Sequence, residues 1–241
     1  MHKIIEGIYF IQGQDEFIPD SHVYLIGLPS SKDLTLVDAG LIGKGKNKIN
    51  AIKKAGIRPE DIKRVIMTHT HLDHIGCLDY ILQEMPHAEL WVHIDEALPL
   101  EKGDERIVYG MEMFRTMCQT QFGIRNGAFT FKADRKLNGG ETIEIGSMAW
   151  EILHVPGHSP GGIALYNPMQ QILVSGDVIY ADYAIGRFDL FGADPAQLKE
   201  SLFRLAELEV KTLLPGHNQI VTDLPLGYIR DTAKQWESFM I

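Results

Sequence analysis

Cysteine is nearly absent from this chain: Cys77 and Cys118 are the only two in 241 residues. A disulfide framework is therefore excluded, and a cytoplasmic location is the expectation. No apolar run approaches the ~18–20 residues that cross a bilayer as a helix. The opening MHKIIEGIYF has neither a long apolar core nor the cleavage pattern of a secretory signal, so no membrane association is expected. Positive charge is also scarce. There are 23 Lys and Arg against 32 Asp and Glu, a formal net charge of −9, and two divalent cations would bring it only to −5 (−9 + 4). That balance weighs against a nucleic-acid backbone as the main partner, and a small-molecule substrate is the separate expectation. No fixed-period repeat, linker or low-complexity tract interrupts the chain. Its length suits one large α/β domain or two small ones, and one domain over residues 1–241 is the expectation.

What is present is concentrated in Val65–Gly76, VIMTHTHLDHIG. Val65, Ile66 and Met67 read as the end of a buried strand. His69, His71, Asp73 and His74 follow, four metal-ligand types within six residues. Side chains two apart in an extended segment face the same way, so His69, His71 and Asp73 can converge. His74 breaks that period and fits if a helix begins near Asp73. Ile75, Leu78, Ile81 and Leu82 continue at helical spacing. Ligand subsets facing two directions suit a pair of adjacent cations. Imidazole with carboxylate makes zinc the first expectation, with iron or manganese next.

Around this loop the chain reads as two strand-rich halves, roughly 1–92 and 141–241, each ending in helix. Strands are expected at 3–12, 22–27, 34–37, 64–67 and 90–92, then at 142–145, 149–155, 163–166, 171–175 and 210–214. Helices are expected at 46–55, from His74 to about Glu84, at 194–208 with Asp194 as N-cap, and within 222–239. Asp38, closing the third strand, could orient a ligand or accept loop amides. Cys77 reads as a small buried apolar residue. Residues 95–137 differ. Ile107, Met111, Phe114, Cys118 and Phe122 recur at helical spacing, which predicts a helical insertion. Ordinary packing, a pocket wall over the site, or a homodimer seam would each account for it.

Three further candidates each follow an apolar strand and a glycine: His158 in PGHSPGG, Asp177 in VSGD and His217 in LPGH. Loops at strand ends are where a rigid sheet presents chemistry. Tyr180, Tyr183 and Arg187 lie close in sequence to Asp177. Tyr180 could bond a substrate carbonyl. Arg187 could clamp a carboxylate or pair with Asp189 or Asp194.

Taken together, HxHxDH at 69–74 with His158, Asp177 and His217 resembles the metallo-β-lactamase superfamily over nearly the whole chain. The resemblance implies a four-layer αβ/βα sandwich of two mixed sheets, helices outside, with the site at one edge. It implies that His69, His71 and His158 hold one metal, that Asp73, His74 and His217 hold the second, and that Asp177 bridges them. Asp73 and Asp177 are then the catalytic carboxylates, around a hydroxide shared by two metals. Asp177 stands where some true β-lactamases have cysteine, and His71 where flavodiiron reductases have glutamate. The PGHSPG segment, the GD pair and Gly186–Leu190 are similar to glyoxalase II-like hydrolases, which implies thioester or ester cleavage. Two alternatives stay open. Acyl-homoserine lactonases place a tyrosine three residues after the bridging aspartate, as Tyr180 is here. Persulfide dioxygenases use a related scaffold with a single iron.

Overall fold

The computed structural model describes residues 1–14 and 19–240. In the first sheet, β1 (His2–Ile5), β2 (Ile8–Ile11), β3 (Val23–Ile26) and β4 (Leu34–Val37) are antiparallel. β5 (Ile62–Ile66), β6 (Glu89–His93) and β7 (Arg135–Leu137) then add in parallel, giving seven strands in chain order. In the second sheet, β8 (Thr142–Ile145), β9 (Met148–His154), β10 (Ile163–Asn167) and β11 (Ile172–Gly176) are antiparallel, and β12 (Thr212–Pro215) joins β11 in parallel.

Strand periodicity explains the layering. In β3, Val23 and Leu25 face one cluster while Tyr24 and Ile26 face another, so all four residues are buried. In β10, Ile163 and Leu165 face inward while Ala164 and Tyr166 face outward. A strand buried on both sides needs a layer on each side. The inner faces of the two sheets meet around Tyr24, Ile66, Trp150 and Leu214. The outer face of the first sheet is covered by α1 (Gly45–Lys54), α2 (Leu72–Ile75), α3 (Leu78–Glu84), α4 (Ile94–Glu101), α5 (Arg106–Tyr109) and α6 (Glu112–Gln121). The outer face of the second is covered by α7 (Pro195–Leu205) and α8 (Tyr228–Trp236). This is the four-layer αβ/βα sandwich. α7 starts as its sequence predicts, with the Asp194 carboxylate accepting from Gln197 N at 3.1 Å and Pro195 in the first turn.

Three expectations need correction. Residues 3–12 are a hairpin, because Gly7 at φ +78° turns the chain between β1 and β2. The last strand is shifted to Thr212–Pro215. The stretch 95–137 is not helical throughout. Gly110, at φ +66°, separates α5 from α6, and the stretch ends in β7, an edge strand beside β6. The helical spacing from Ile107 to Phe122 therefore runs across two helices. Ile107 and Cys118 are buried, whereas Phe122 is exposed.

Parallel pairing puts the C-terminal ends of β4, β5 and β6 at one edge, where β5 delivers the HxHxDH loop. β9, β11 and β12 also run in a common direction and end in the segments of His158, Asp177 and His217. The two sheets are tied at this edge, where Tyr24 Oη donates to Pro215 O at 2.6 Å.

Candidate metal centre

After β5 the chain stays extended through His71 (φ −63°, ψ 154°), and α2 then begins at Leu72. The change from extended to helical backbone turns Asp73 and His74 away from the direction of His69 and His71. Two groups result. The donor atoms of His69, His71 and His158 lie within 4.8 Å of one another, and so do those of Asp73, His74, Asp177 and His217. Asp177 touches both. Its Oδ2 is 3.6 Å from His158 Nε2 and 3.4 Å from His217 Nε2, and its Oδ1 is 3.2 Å from His74 Nε2. His217 Nε2 also sits 3.0 Å from Asp73 Oδ2. Glycine at 216 is required here, because a Cβ would collide with Asp177 Oδ1 and His74 Cε1.

Hydrogen bonds behind the rings fix which nitrogen faces inward. His74 Nδ1 donates to Asp38 Oδ2 (2.9 Å), and Thr68 Oγ1 donates to the same oxygen (2.8 Å). Thr68 Oγ1 in turn lies 3.1 Å from His69 Nδ1. His158 Nδ1 donates to Arg187 O at 2.7 Å. A bonded Nδ1 leaves Nε2 free for a cation. Asp38 also accepts from the Thr68 amide at 2.7 Å, so it serves both roles read for it from sequence.

The inward atoms meet chiefly one another. The Nε2 atoms of His69, His74 and His217 and Oδ1 of Asp177 are buried and find no hydrogen-bond partner outside the cluster. An unsatisfied buried polar group costs roughly 1–3 kcal/mol. Four such atoms gathered in two adjacent groups fit cations. His71 Nδ1 and His158 Nε2 stand 2.9 Å apart, a separation that suits one shared proton or one shared cation.

The two groups differ electrostatically. Burial, reinforced by neighbouring imidazoles, drives His69 far below its usual range and His71 down to about 3. Burial would also lower His74 and His217, but carboxylates outweigh it. Asp177 and Asp38 hold His74 well above its ordinary value, and Asp177 and Asp73 raise His217 to about 10. Asp177 is depressed against its own burial by His217 and His74. Without cations, His69 and His71 offer bare nitrogens while His74 and His217 hold protons.

A pocket of about 160 Å³ opens over these residues, lined by His71, Asp73, His158, Asp177 and His217. Pro19, Leu72, Val108, Tyr109, Phe114 and Leu190 form apolar walls. The chain after Asp177 doubles back through an Ile179–Ile185 bridge. This brings Tyr180, 9% exposed, to the pocket. Burial and Asp177 raise its hydroxyl's pKa well above the usual value. Arg187 lines the pocket, but its guanidinium is committed to Asp189 at 2.9 and 2.7 Å. Tyr183 is not brought in: it stacks on Tyr228 at 4.6 Å and is 41% exposed. Its left-handed backbone (φ 56°) in the turn points it away from the site that sequence proximity suggested. Of the helical stretch, Phe114 reaches the pocket, whereas Met111 lines a neighbouring groove of about 560 Å³.

Sequence reading missed Val108, Tyr109 and Leu190 as walls, and Asp20, His22, Lys48 and Glu96 around the ligand loops. A buried charged residue with no motif gives no periodic signal. It missed a third cluster as well, His93, Asp95 and His154, in which the two imidazoles stack at 3.9 Å.

The metallo-β-lactamase superfamily's model matches residues 19–217, and the chain belongs to that superfamily, as one of its hydrolases. It is 34% identical to the probable metallo-hydrolase YqgX of Bacillus subtilis, over 79% of this chain and 82% of that one. It is 28% identical to the hydroxyacylglutathione hydrolase GloC of Haemophilus influenzae, over 71% of this chain and 72% of that one. The crystal structure of the BLEG-1 B3 metallo-β-lactamase superposes with a TM-score of 0.72 at 25% identity, covering 92% of this chain and 97% of that one. Among the described residues no helix is long and apolar enough to cross a membrane.

Proposed function

We propose that this hydrolase carries two divalent cations, zinc in the first instance, and cleaves a thioester or ester of a small molecule. His69, His71 and His158 hold one cation, Asp73, His74 and His217 the other, and Asp177 both. The observation that carries this reading is the position of Asp177, whose carboxylate oxygens reach His158 on one side and His74 and His217 on the other. One carboxylate between two imidazole groups offsets the repulsion of two cations. It also weighs against a single-iron oxygenase, which would leave the second group without a purpose.

Bound there, such a cation pair would supply a water whose pKa is lowered from 15.7 toward about 7 and a Lewis acid for the substrate carbonyl. The chain's residues supply the rest. The walls from Pro19 to Leu190 exclude water and orient the acyl part. Oxygen from water joins the carbonyl carbon and the bond to sulfur or oxygen breaks; a thiolate leaves without a dedicated acid, whereas an alkoxide needs a proton. Asp73 faces the pocket and is positioned to pass that proton. Tyr180 remains protonated because burial beside Asp177 raises its pKa, so it can donate to the carbonyl oxygen.

A hydroxyacylglutathione-type thioester is the first substrate class. It rests on the similarity around Gly186–Leu190 and on the relatives bearing that activity in their names. An acyl-homoserine lactone is second, favoured by Tyr180 at the pocket and by the apolar walls. The test is kcat/KM for S-lactoylglutathione against an acyl-homoserine lactone, in wild type and Tyr180→Phe. Thioester turnover that survives Tyr180→Phe supports the first order. Strong lactone turnover that collapses in Tyr180→Phe, with negligible thioester cleavage, reverses it.

A further inference from the structure

Buried polar residues outside any sequence motif lie where the ligand loops meet. Glu96 stands in the first turn of α4 and is 1% exposed. Its Oε2 accepts from Thr70 N at 2.5 Å and from Thr70 Oγ1 at 2.6 Å, and its Oε1 accepts from Gly161 N at 3.0 Å. Thr70 lies between His69 and His71, and Gly161 lies three residues after His158. One carboxylate thus joins the two loops, from different sheets, that carry the first histidine group. No side chain could replace the hydrogen at Gly161 without striking Glu96 Cγ.

His22 does the corresponding work at the second group. Its backbone N–H donates to Gly216 O at 2.7 Å, and its Nε2 donates to Asn218 O at 2.6 Å. The two carbonyls on either side of His217 are therefore held by one residue. His22 Nδ1 accepts from Gly13 N at 2.9 Å, which fixes that tautomer. The neighbouring Ser21 N donates to Asp73 O at 3.2 Å. A buried ion pair anchors this segment. Lys48 Nζ reaches Asp20 Oδ2 at 3.0 Å and Ser21 O at 3.1 Å, while Asp20 Oδ1 accepts from Leu41 N at 2.7 Å.

We propose that the two ligand groups are braced independently: Glu96 is the positioning residue for the His69, His71 and His158 group, and His22, anchored by Asp20 and Lys48, is the positioning residue for His217 in the second group. Each brace bonds to backbone next to its ligands and to none of the ligand side chains. It acts by holding the ligands' separation and orientation. The inference rests on the two-cation reading above.

The test separates the braces by measuring Zn²⁺ and Co²⁺ affinity, with Co²⁺ absorption as the geometric readout. His217→Ala provides a background that disables the second group, and His69→Ala one that disables the first. In the His217→Ala background, Glu96→Gln is expected to weaken the remaining cation about 10–100-fold, the range for residues that orient ligands, and to alter the Co²⁺ spectrum. Gln cannot accept from both Thr70 and Gly161, because one of its oxygens has become an NH₂. His22→Phe should leave that affinity unchanged. In the His69→Ala background the pattern should invert, and His22→Gln, whose amide can still donate to Asn218 O, should recover part of the loss. Thr70→Val, which deletes one of Glu96's three donors, gives a smaller first-group loss and serves if Glu96→Gln does not fold. Two equivalents bound by wild type, with losses that do not segregate by group, would overturn the braces and leave the two-cation reading standing. A wild type that binds no cation would overturn that reading and the braces with it.

Discussion

At the scale of single residues, the site depends on Asp177 more than on any pocket wall. Asp177→Ala removes the one carboxylate that touches both groups. It should lower kcat/KM by more than about 100-fold, since even residues that only orient metal ligands are worth about 10–100-fold. Metal content should fall with activity. Steady-state kinetics and elemental analysis on the same preparation check this, and full activity with full metal content would refute the bridging role. The clustering of seven His and Asp side chains was legible in the sequence because they lie in segments that follow apolar strands, in a spacing that chemistry constrains. Tyr183 was not, because three positions along a turn can move a side chain out of a site altogether. Arg187 was legible only as a choice among a substrate carboxylate, Asp189 and Asp194, and its guanidinium pairs with Asp189.

At the scale of elements, residues 106–121 stand over the pocket rather than in the ligand set. Val108, Tyr109 and Phe114 face it, and they come from two helices broken at Gly110. Phe114→Ala should therefore change KM and acyl-chain preference, by about 10-fold for a change of this size in an apolar pocket, with metal content unchanged. An acyl-length series measured alongside elemental analysis separates the two effects. Loss of metal in Phe114→Ala would show that the helices belong to the ligand scaffold instead. Period-2 and period-3.6 patterns located most strands and helices, because burial on both faces leaves a strong apolar signal in β3, β10 and β11. The same patterns failed at β7, whose burial runs exposed, half-buried, buried over three residues. A short edge strand gains its identity from the neighbour it pairs with, and that partner is more than 40 residues away in sequence.

At the scale of the whole molecule, metal loading and folding stability are coupled through pH. His217 rises to about 10 in the folded chain without cations. Its charged form therefore stabilises the fold fully below its ordinary value of about 6.5, and that contribution is lost as pH climbs toward 10. His69 and His71 act in the other direction. Their folded pKa values are lowered, so the unfolded chain takes up their protons as pH falls below about 6.5, and stability falls with it. Chelated protein should show its highest Tm near pH 6.5, with a decline on each side. Cation binding must release the protons on His74 and His217, so loaded protein should lose the alkaline decline. A Tm of the chelated form that keeps rising from pH 7 to pH 10 would contradict the charge assignment at His217.

The proposed chemistry depends on two cations held at the edge where the two sheets meet. Elemental analysis of protein purified without chelator, combined with Zn²⁺ titration of the stripped chain, tests this most directly. Two equivalents per chain are predicted. In the titration, the second should load with proton release from His74 and His217, and the first should meet His69 and His71 already neutral. A reproducible single equivalent of iron, with oxygen consumed on a persulfide and no ester or thioester hydrolysed, would contradict it.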